Sequence, residues 1–373
     1  MQKMKKALVL GRGVSGKAAA EELKKRGFDV EFAEGYSLVV ASPGVPVKSE
    51  LQLGCEELKR RGWKLLAVTG SKGKSSVVKV VADTLTLAGM SAVPCGNYGR
   101  PVCDLIGETP GWAIVEVSSF QLETTQLADD LFEAAVVLNV QEDHLDRHGE
   151  VSVYAALKHR LASMSKVFFG GLESLHTTAL AAQPCCRGFA ELIAGSYFDN
   201  EVLGVNGAYA VALMRAAGLD DAAIRRGFTA FEPLPHRFQA VATIDGVRYV
   251  DDSKATSIAA LVAGVAMCGA SPVRLLAGGK PKGDDPEIAA PILTDRVKKV
   301  YLIGQSAESF AMAWKSAADC EVCGTMERAV EAAKRDAEKG ETVLLSPGTA
   351  SFDQFSNFGE RGDVFAALVK KGK

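Results

Sequence analysis

Short apolar runs alternate with longer stretches of helical spacing along the whole chain. Lys6–Leu10 is a strand-like run that leads into Gly11-Arg-Gly13-Val-Ser-Gly16. Lys17–Arg26 then repeats apolar positions at helical intervals and stops at Gly27. Phe28–Ala33 reads as a second strand ending at Glu34. A new unit begins at Lys64, with a strand at Leu65–Thr69, a glycine loop, and a helix from Ser75 to Ala88. Ala113–Val117 and Ala134–Asn139 are further apolar strands, and Asn206–Gly218 and Asp221–Phe228 have helical spacing. Glu232-Pro-Leu-Pro235 reads as a linker. Val241–Ile244 and Val247–Val250 flank Asp245-Gly246, which suits a type I′ hairpin turn. Val273–Ala277, Val300–Ile303 and Thr342–Leu345 are strands separated by helical stretches. Alternating β and α predicts parallel, doubly wound sheets. Three α/β domains are expected, at 1–63, 64–234 and 235–373.

Composition narrows the class. The 373 residues carry a net charge of −2, with 47% hydrophobic and 24% charged, the balance of an ordinary globular protein. Near-neutral charge gives no broad electrostatic case for nucleic acid. The cysteines (Cys55, Cys95, Cys103, Cys185, Cys186, Cys268, Cys320 and Cys323) are scattered over a long chain, unlike a compact disulfide framework. Cys320-x-x-Cys323 has no second pair to complete a zinc site. The apolar run Ala7–Leu10 is too short for a secretory leader, and no run approaches the ~18 apolar residues of a membrane span. A cytoplasmic protein without membrane insertion is expected.

Two glycine loops carry the first chemistry. Gly11, Gly13 and Gly16, followed by the acid Glu34, match the strand–loop–helix–strand plan of a dinucleotide site. Alone, this pattern also serves other nucleotide binders and a nicotinamide dehydrogenase. The stronger motif is Thr69-Gly70-Ser71-Lys72-Gly73-Lys74-Ser75-Ser76, between a strand and a helix. Backbone N–H groups of such a loop face phosphate, Lys74 neutralises it, and Ser75 suits Mg²⁺. It is shorter than the usual Walker loop, with two residues between Gly70 and Gly73. Glu116 ends an apolar strand, where a parallel sheet presents ligands. His144, in Asp143-His144-x-Asp146-Arg147, follows the next strand and suits a metal.

Several motifs then occur in order: Thr69–Ser75, Gly96-Asn97-x-Gly99, Glu116-Val-Ser-Ser-Phe-Gln-Leu-Glu123, Leu138-Asn-Val-x-Glu-Asp-His-Leu-Asp146, Pro235-His-Arg-Phe238, Asp252-Ser-Lys-Ala-Thr256 and Ser346-Pro-x-x-Ala-Ser-x-Asp-Gln-Phe355. Together they resemble the Mur ligases. The likeness runs the length of the chain and is dense from residue 64 onward. It implies a reduced Rossmann-like N-terminal domain that binds UDP, a central P-loop ATPase-like parallel sheet, and a C-terminal Rossmann-like domain that binds the amino acid. It also implies the branch of the family that joins D-glutamate to UDP-N-acetylmuramoyl-L-alanine in peptidoglycan precursor synthesis, using ATP and an acyl phosphate. The enzyme would act as a monomer.

The resemblance assigns residues. Lys74, Glu116, His144 and Lys158 would be catalytic. Two Mg²⁺ ions would be held, one by Ser75 and Glu116 and one by His144 with a carbamylated Lys158, read from Tyr154-x-x-x-Lys158. Gly70–Ser76, Asn206, His236, Arg237 and Asp252 would bind ATP. Val14, Ser15, Ser42, Pro43, Gly44, Asn97, Ser118 and Gln121 would contact the sugar-nucleotide substrate. Lys254, Thr256, Lys282, Ser351 and Phe358 would form the glutamate pocket. Two features depart from the family pattern. Only about sixty residues precede the phosphate-loop strand, and Lys72 stands where an asparagine is usual. Other readings are open at this level: L-glutamate or another acceptor, a surface role for Lys158 or Lys282, or a non-catalytic sugar-nucleotide binder.

Overall fold

The computed structural model describes residues 5–34, 47–141, 144–170 and 186–371. They form two compact units, Met1–Asp199 with Leu203–Phe231, and Asn200–Val202 with Glu232–Lys373. The first unit holds two parallel sheets. β1 (Lys5–Leu10) pairs with β2 (Phe28–Ala33), and α1 (Val14–Lys25) links them. The larger sheet contains β3 (Lys64–Thr69), β4 (Ala92–Gly96), β5 (Trp112–Glu116), β6 (Ala134–Val137) and β7 (Phe168–Phe169), in the order β4-β5-β3-β6-β7.

That order explains where a ligand belongs. The chain leaves β3 through α3 (Lys74–Leu87), returns by β4 and β5 on one side, and crosses to β6 on the other. The carboxyl end of β3 is therefore the switch point, where neighbouring connections diverge and leave a crevice. β3 is Lys-Leu-Leu-Ala-Val-Thr, with every residue after Lys64 buried, as expected of a strand covered on both faces. Val77, Val78, Val80, Val81 and Leu85 of α3 are wholly buried, each side chain worth about 1.5–3 kcal/mol of transfer free energy. The phosphate loop is thus anchored at both ends in core.

α2 (Glu50–Arg60) packs within the same unit and joins the N-terminal layer to it electrostatically. Arg26, at the end of α1, donates to Glu22 at 2.6 Å and lies 3.4 Å from Glu57 of α2. Arg60 and Arg61 also hold Glu57, and their hydrogen bonds bring its carboxyl down to about 2.

In the second unit, β8 (Gln239–Ile244) and β9 (Val247–Asp251) form the expected hairpin, with Asp245 and Gly246 at φ +51° and +79°. β10 (Val273–Gly278), β11 (Val297–Ile303), β12 (Asp319–Gly324) and β13 (Thr342–Leu345) complete a sheet in the order β12-β11-β10-β13-β9-β8. All pairings but β8–β9 are parallel. Three strands escaped the hydrophobic pattern. β4 contains Pro94, which an edge strand tolerates. β7 is two residues long. β12 carries Cys320 and Cys323 among polar residues at the other sheet's edge. Among the described residues no helix is long and apolar enough to cross a membrane.

Candidate active site

The phosphate loop is held between two strand ends. After β3 the chain turns through Gly70, Ser71, Lys72 and Gly73 into α3. Gly73 is in the left-handed region at φ +86°, and a Cβ there would lie 2.2 Å from Asn206 Nδ2. Glycine is required on both counts. Asn139, just past β6, clasps the loop from below. Lys72 N–H donates to Asn139 Oδ1 at 2.8 Å, and Asn139 Nδ2 donates to the Lys72 carbonyl at 2.9 Å. Ser71 N–H donates to the Asn139 carbonyl at 3.0 Å. Ser71 Oγ accepts from Gln141 N–H at 2.9 Å and lies 3.2 Å from Tyr154 Oη. The first N–H groups of α3 have no partner within the helix and point toward the loop, which suits an anion. Lys74 Nζ donates to the carbonyls of Gly70, 2.8 Å away, and Ser71, 3.1 Å away.

A cavity of about 120 Å³ opens beside this loop. Lys74, Asn97, Ser118, Ser119, Phe120, His144, Tyr154 and Lys158 line it. Five of these were expected from sequence: Lys74, Asn97, Ser118, His144 and Lys158. Glu116 ends β5 and is buried. Its Oε1 accepts from Asn97 Nδ2 at 2.7 Å, while its buried Oε2 has no hydrogen-bond partner. A buried carboxylate oxygen without a donor is costly unless a cation meets it. His144 is held at φ +54°, a strained backbone for a non-glycine residue. Its ring lies 4.9 Å from that of Phe120.

Lys158 is 1% exposed, so it is not a surface lysine. Its Nζ donates to the Gly70 carbonyl at 3.1 Å and sits 4.1 Å from the Tyr154 ring centroid. Tyr154 and Lys158 share one face of helix Val151–His159 by their four-residue spacing. Ser118 and Gln121 have a local role as well: they form a capping box at the start of α4 (Ser119–Thr124). Gln121 is not among the cavity-lining residues. Asn206 packs against Gly73 from helix Gly204–Ala216.

Asn139, Ser119, Phe120, Tyr154 and His148 escaped the sequence reading as site residues. The first four lie inside motifs already noted, but a motif does not say which side chains face the cavity. His148 stands behind the wall, with Nε2 3.0 Å from Ser119 Oγ and its ring stacked on Phe120.

The N-terminal loop gives less. Gly11 turns at φ +89°, and a Cβ at Gly16 would lie 2.1 Å from the Gly11 carbonyl oxygen, so Gly11 is needed for the turn and Gly16 for close packing. Glu34 Oε1 accepts from Arg12 N–H at 2.9 Å, which ties the acid to the loop itself. Val14 and Ser15 are exposed at the start of α1. Ser42, Pro43, Gly44 and Asp143 lie outside the described residues, as does Cys185.

In the second unit the expected residues gather at the carboxyl ends of β9, β13 and β10. His236 is at φ +60°, and its Nδ1 lies 2.7 Å from Asp251 Oδ2. Asp252 Oδ1 accepts from Phe238 N–H and Oδ2 from Ser346 Oγ. Burial pushes the Asp252 carboxyl up to about 7. Lys254 Nζ is 3.9 Å from the Phe358 ring centroid. Burial, then repulsion from Arg237 and Lys282, holds its ammonium below the ordinary lysine value. Lys282 Nζ donates to the Thr256 carbonyl at 3.1 Å. Ser351 is buried, and its carbonyl accepts from Phe355 N–H. Lys254, Arg237 and Lys282 thus make a cationic group, the electrostatics of an anion site.

Cys320 and Cys323 take no part. Burial raises both thiols, and each leans on a nearby carbonyl. Among the described residues no three His, Cys, Asp or Glu side chains cluster as a metal centre.

Residues 68–169 match the Mur ligase middle domain, and residues 236–348 match the Mur ligase glutamate ligase domain. A UDP-N-acetylmuramoylalanine–D-glutamate ligase of Nitratidesulfovibrio vulgaris (strain DP4) is 33% identical, covering 98% of this chain and 96% of that protein. The chain belongs to the Mur ligase family. A ligase of the same name from Gloeobacter violaceus is 36% identical, over 89% of this chain and 84% of that protein. The N. vulgaris alignment spans 419 positions, more than the 373 residues of this chain, so that Mur ligase carries segments absent here. The fold agrees with solved family members. The MurF ligase of Thermotoga maritima in complex with ADP has a TM-score of 0.61 at 16% identity, covering 99% of this chain and 96% of that one. The UDP-N-acetylmuramate-alanine ligase MurC of the same organism also gives 0.61, at 14% identity, covering 99% and 100%.

Proposed function

We infer that the chain is an ATP-dependent ligase that adds D-glutamate to UDP-N-acetylmuramoyl-L-alanine in peptidoglycan precursor synthesis. The observation that carries this reading is the convergence of Lys74, His144 and Lys158 on one cavity, with Glu116 behind it, in a chain of this family. A carboxylate oxygen of the substrate attacks the γ-phosphorus of ATP, ADP leaves, and an acyl phosphate forms. The amine of glutamate then attacks the acyl carbon, phosphate departs, and the nitrogen loses its proton. Both steps bring anions together, so charge neutralisation and positioning are what the protein must supply.

The residues present fit Mg²⁺. Glu116 Oε2 is buried without a donor, and Ser75 opens α3 in the phosphate loop. Ser75 and Glu116 would hold one ion, and His144 with a carbamylated Lys158 a second. Bound there, Mg²⁺ would neutralise phosphate oxygens during transfer. Lys74 holds the phosphates electrostatically from the loop, and the α3 N–H groups orient them. Asn97 holds Glu116 Oε1 in place. Two ammonium groups, the half-buried Lys74 and the buried Lys158, converge on the Gly70 carbonyl. Like charges so close disfavour each other, and conversion of Lys158 to a carbamate reverses the sign.

We assign residues 1–63 to the UDP group, 64–234 to ATP, and 235–373 to the amino acid, working as a cytoplasmic monomer. Val14 and Ser15 would meet the UDP group, and Asn97, Ser118 and Gln121 the muramoyl part. Asn206, His236, Arg237 and Asp252 would bind the adenosine part of ATP. Lys254, Thr256, Lys282, Ser351 and Phe358 would take glutamate. Lys74→Ala tests the phosphate loop: the variant should fold with the wild-type circular dichroism spectrum and lose ADP release. Near-wild-type turnover would overturn the assignment.

A further inference from the structure

Arg361, in helix Phe358–Lys370, is 0% exposed. Buried arginines are ordinarily matched by a carboxylate. Here the five hydrogen bonds of the guanidinium all end on neutral oxygens. Nε donates to Ser253 Oγ at 2.9 Å, and Nη2 to the Ser253 carbonyl at 2.8 Å. Nη1 and Nη2 each donate to the Thr349 carbonyl at 3.2 Å, and Nη1 to the Ala350 carbonyl at 3.2 Å.

These acceptors stand next to the proposed amino-acid pocket. Ser253 precedes Lys254, and its Oγ also donates to the Phe358 carbonyl at 2.8 Å. Ala350 precedes Ser351, and its carbonyl also accepts from Lys280 N–H at 2.9 Å, two residues before Lys282. The space for this junction is tight: a Cβ on Gly279 would lie 2.5 Å from the Ala350 oxygen and 3.2 Å from Arg361 Nη1. One side chain therefore fixes the segments bearing Lys254, Lys282, Ser351 and Phe358. In a trans peptide the N–H points opposite to the C=O. With the Ala350 carbonyl turned to Arg361, the Ser351 N–H is turned away from it. Among the described residues no carboxylate is bonded to it; burial lowers the guanidinium to about 10 against the nearby charges of Asp353 and Asp251, so it stays charged at neutral pH.

We propose that Arg361 is a positioning residue for the acceptor amino acid: it fixes the loops of the pocket and supplies a positive field that a carboxylate of the acceptor completes. The inference rests on the pocket assignment above. It predicts a defect confined to the second half-reaction. Arg361→Lys keeps the charge and loses the planar fork.

The test compares Arg361→Lys with wild type in two assays. One measures KM for D-glutamate at saturating ATP and UDP-N-acetylmuramoyl-L-alanine. The other omits glutamate and traps the acyl phosphate with hydroxylamine as the hydroxamate. The expected result is a KM for D-glutamate raised tenfold or more, with hydroxamate formation and KM for ATP within twofold of wild type. An unchanged KM for D-glutamate, or an equal loss in both assays, overturns the proposal. If Arg361→Lys does not fold, Ser253→Ala removes the Nε acceptor and is read by the same criteria. Lys282→Ala separates the two claims. If it raises KM for D-glutamate and Arg361→Lys does not, positioning by Arg361 fails. If it leaves KM unchanged, the pocket assignment fails and the proposal with it.

Discussion

Removing the Lys158 amine should abolish turnover, and a small carboxylate should restore part of it. As ammonium groups, Lys74 and Lys158 share the Gly70 carbonyl at 2.8 and 3.1 Å, so the two nitrogens lie within about 6 Å. At an effective dielectric constant of about 20, two like unit charges at that distance repel by about 3 kcal/mol. A carbamate in place of the Lys158 ammonium turns that repulsion into attraction of similar size, a swing of about 6 kcal/mol. The buried site thus favours the derivatised lysine, and the derivative supplies an anion where His144 faces the same cavity. Lys158→Ala removes both the amine and the anion. ADP release measured at saturating substrates should fall by about 10²-fold or more, the scale of losing an electrostatic group from a catalytic centre. Acetate or formate, titrated in, should rescue it saturably, while chloride at equal ionic strength should not. Full activity of Lys158→Ala without any additive would remove Lys158 from the metal site. So would equal rescue by chloride.

Glu116→Gln separates metal binding from folding. It replaces a buried carboxylate that has one oxygen unpaired with a neutral amide. Thermal stability without Mg²⁺ should stay level or rise by about 1–3 kcal/mol, while turnover is lost and Mg²⁺ no longer raises Tm. A marked fall in Tm would show that Glu116 is chiefly structural. Asp252 gives a pH signature. Its carboxyl is raised by burial to about 7, above the unfolded value of about 3.9. The folded state holds that proton more tightly, so the stability it contributes is present below about pH 4 and is lost as pH rises to about 7. Asp252→Asn should flatten this decline in Tm between about pH 4 and pH 7. An unchanged slope would show that other groups set it.

Much of this site was legible because its chemistry sits in contiguous stretches at strand ends. Gly70–Ser76 follows β3, Glu116 ends β5 and His144 comes after β6, and the parallel order of the sheet brings the three edges together. The polar clasp of Asn139 on Lys72 was not legible, since pairing a side chain with a backbone 67 residues away leaves no periodic trace. Arg361 was missed for a related reason: its acceptors on Ser253, Thr349 and Ala350 lie 108, 12 and 11 residues away in the chain and leave no periodic trace. Lys158 was assigned through the family resemblance and not through its local pattern. Its Lys-His-Arg neighbourhood reads as a solvated cluster, yet the turn of helix places Lys158 inward beneath Tyr154. β12 and β4 were lost to polar residues and a proline, which sheet edges accept.

The most direct test incubates the protein with ATP, Mg²⁺ and UDP-N-acetylmuramoyl-L-alanine, with D-glutamate in one tube and L-glutamate in another, and reads products by mass. The expected product is a D-glutamyl adduct matched mole for mole by ADP and phosphate. An adduct only with L-glutamate, or none with either while ATP still binds, would overturn the assignment of the chain as a D-glutamate ligase.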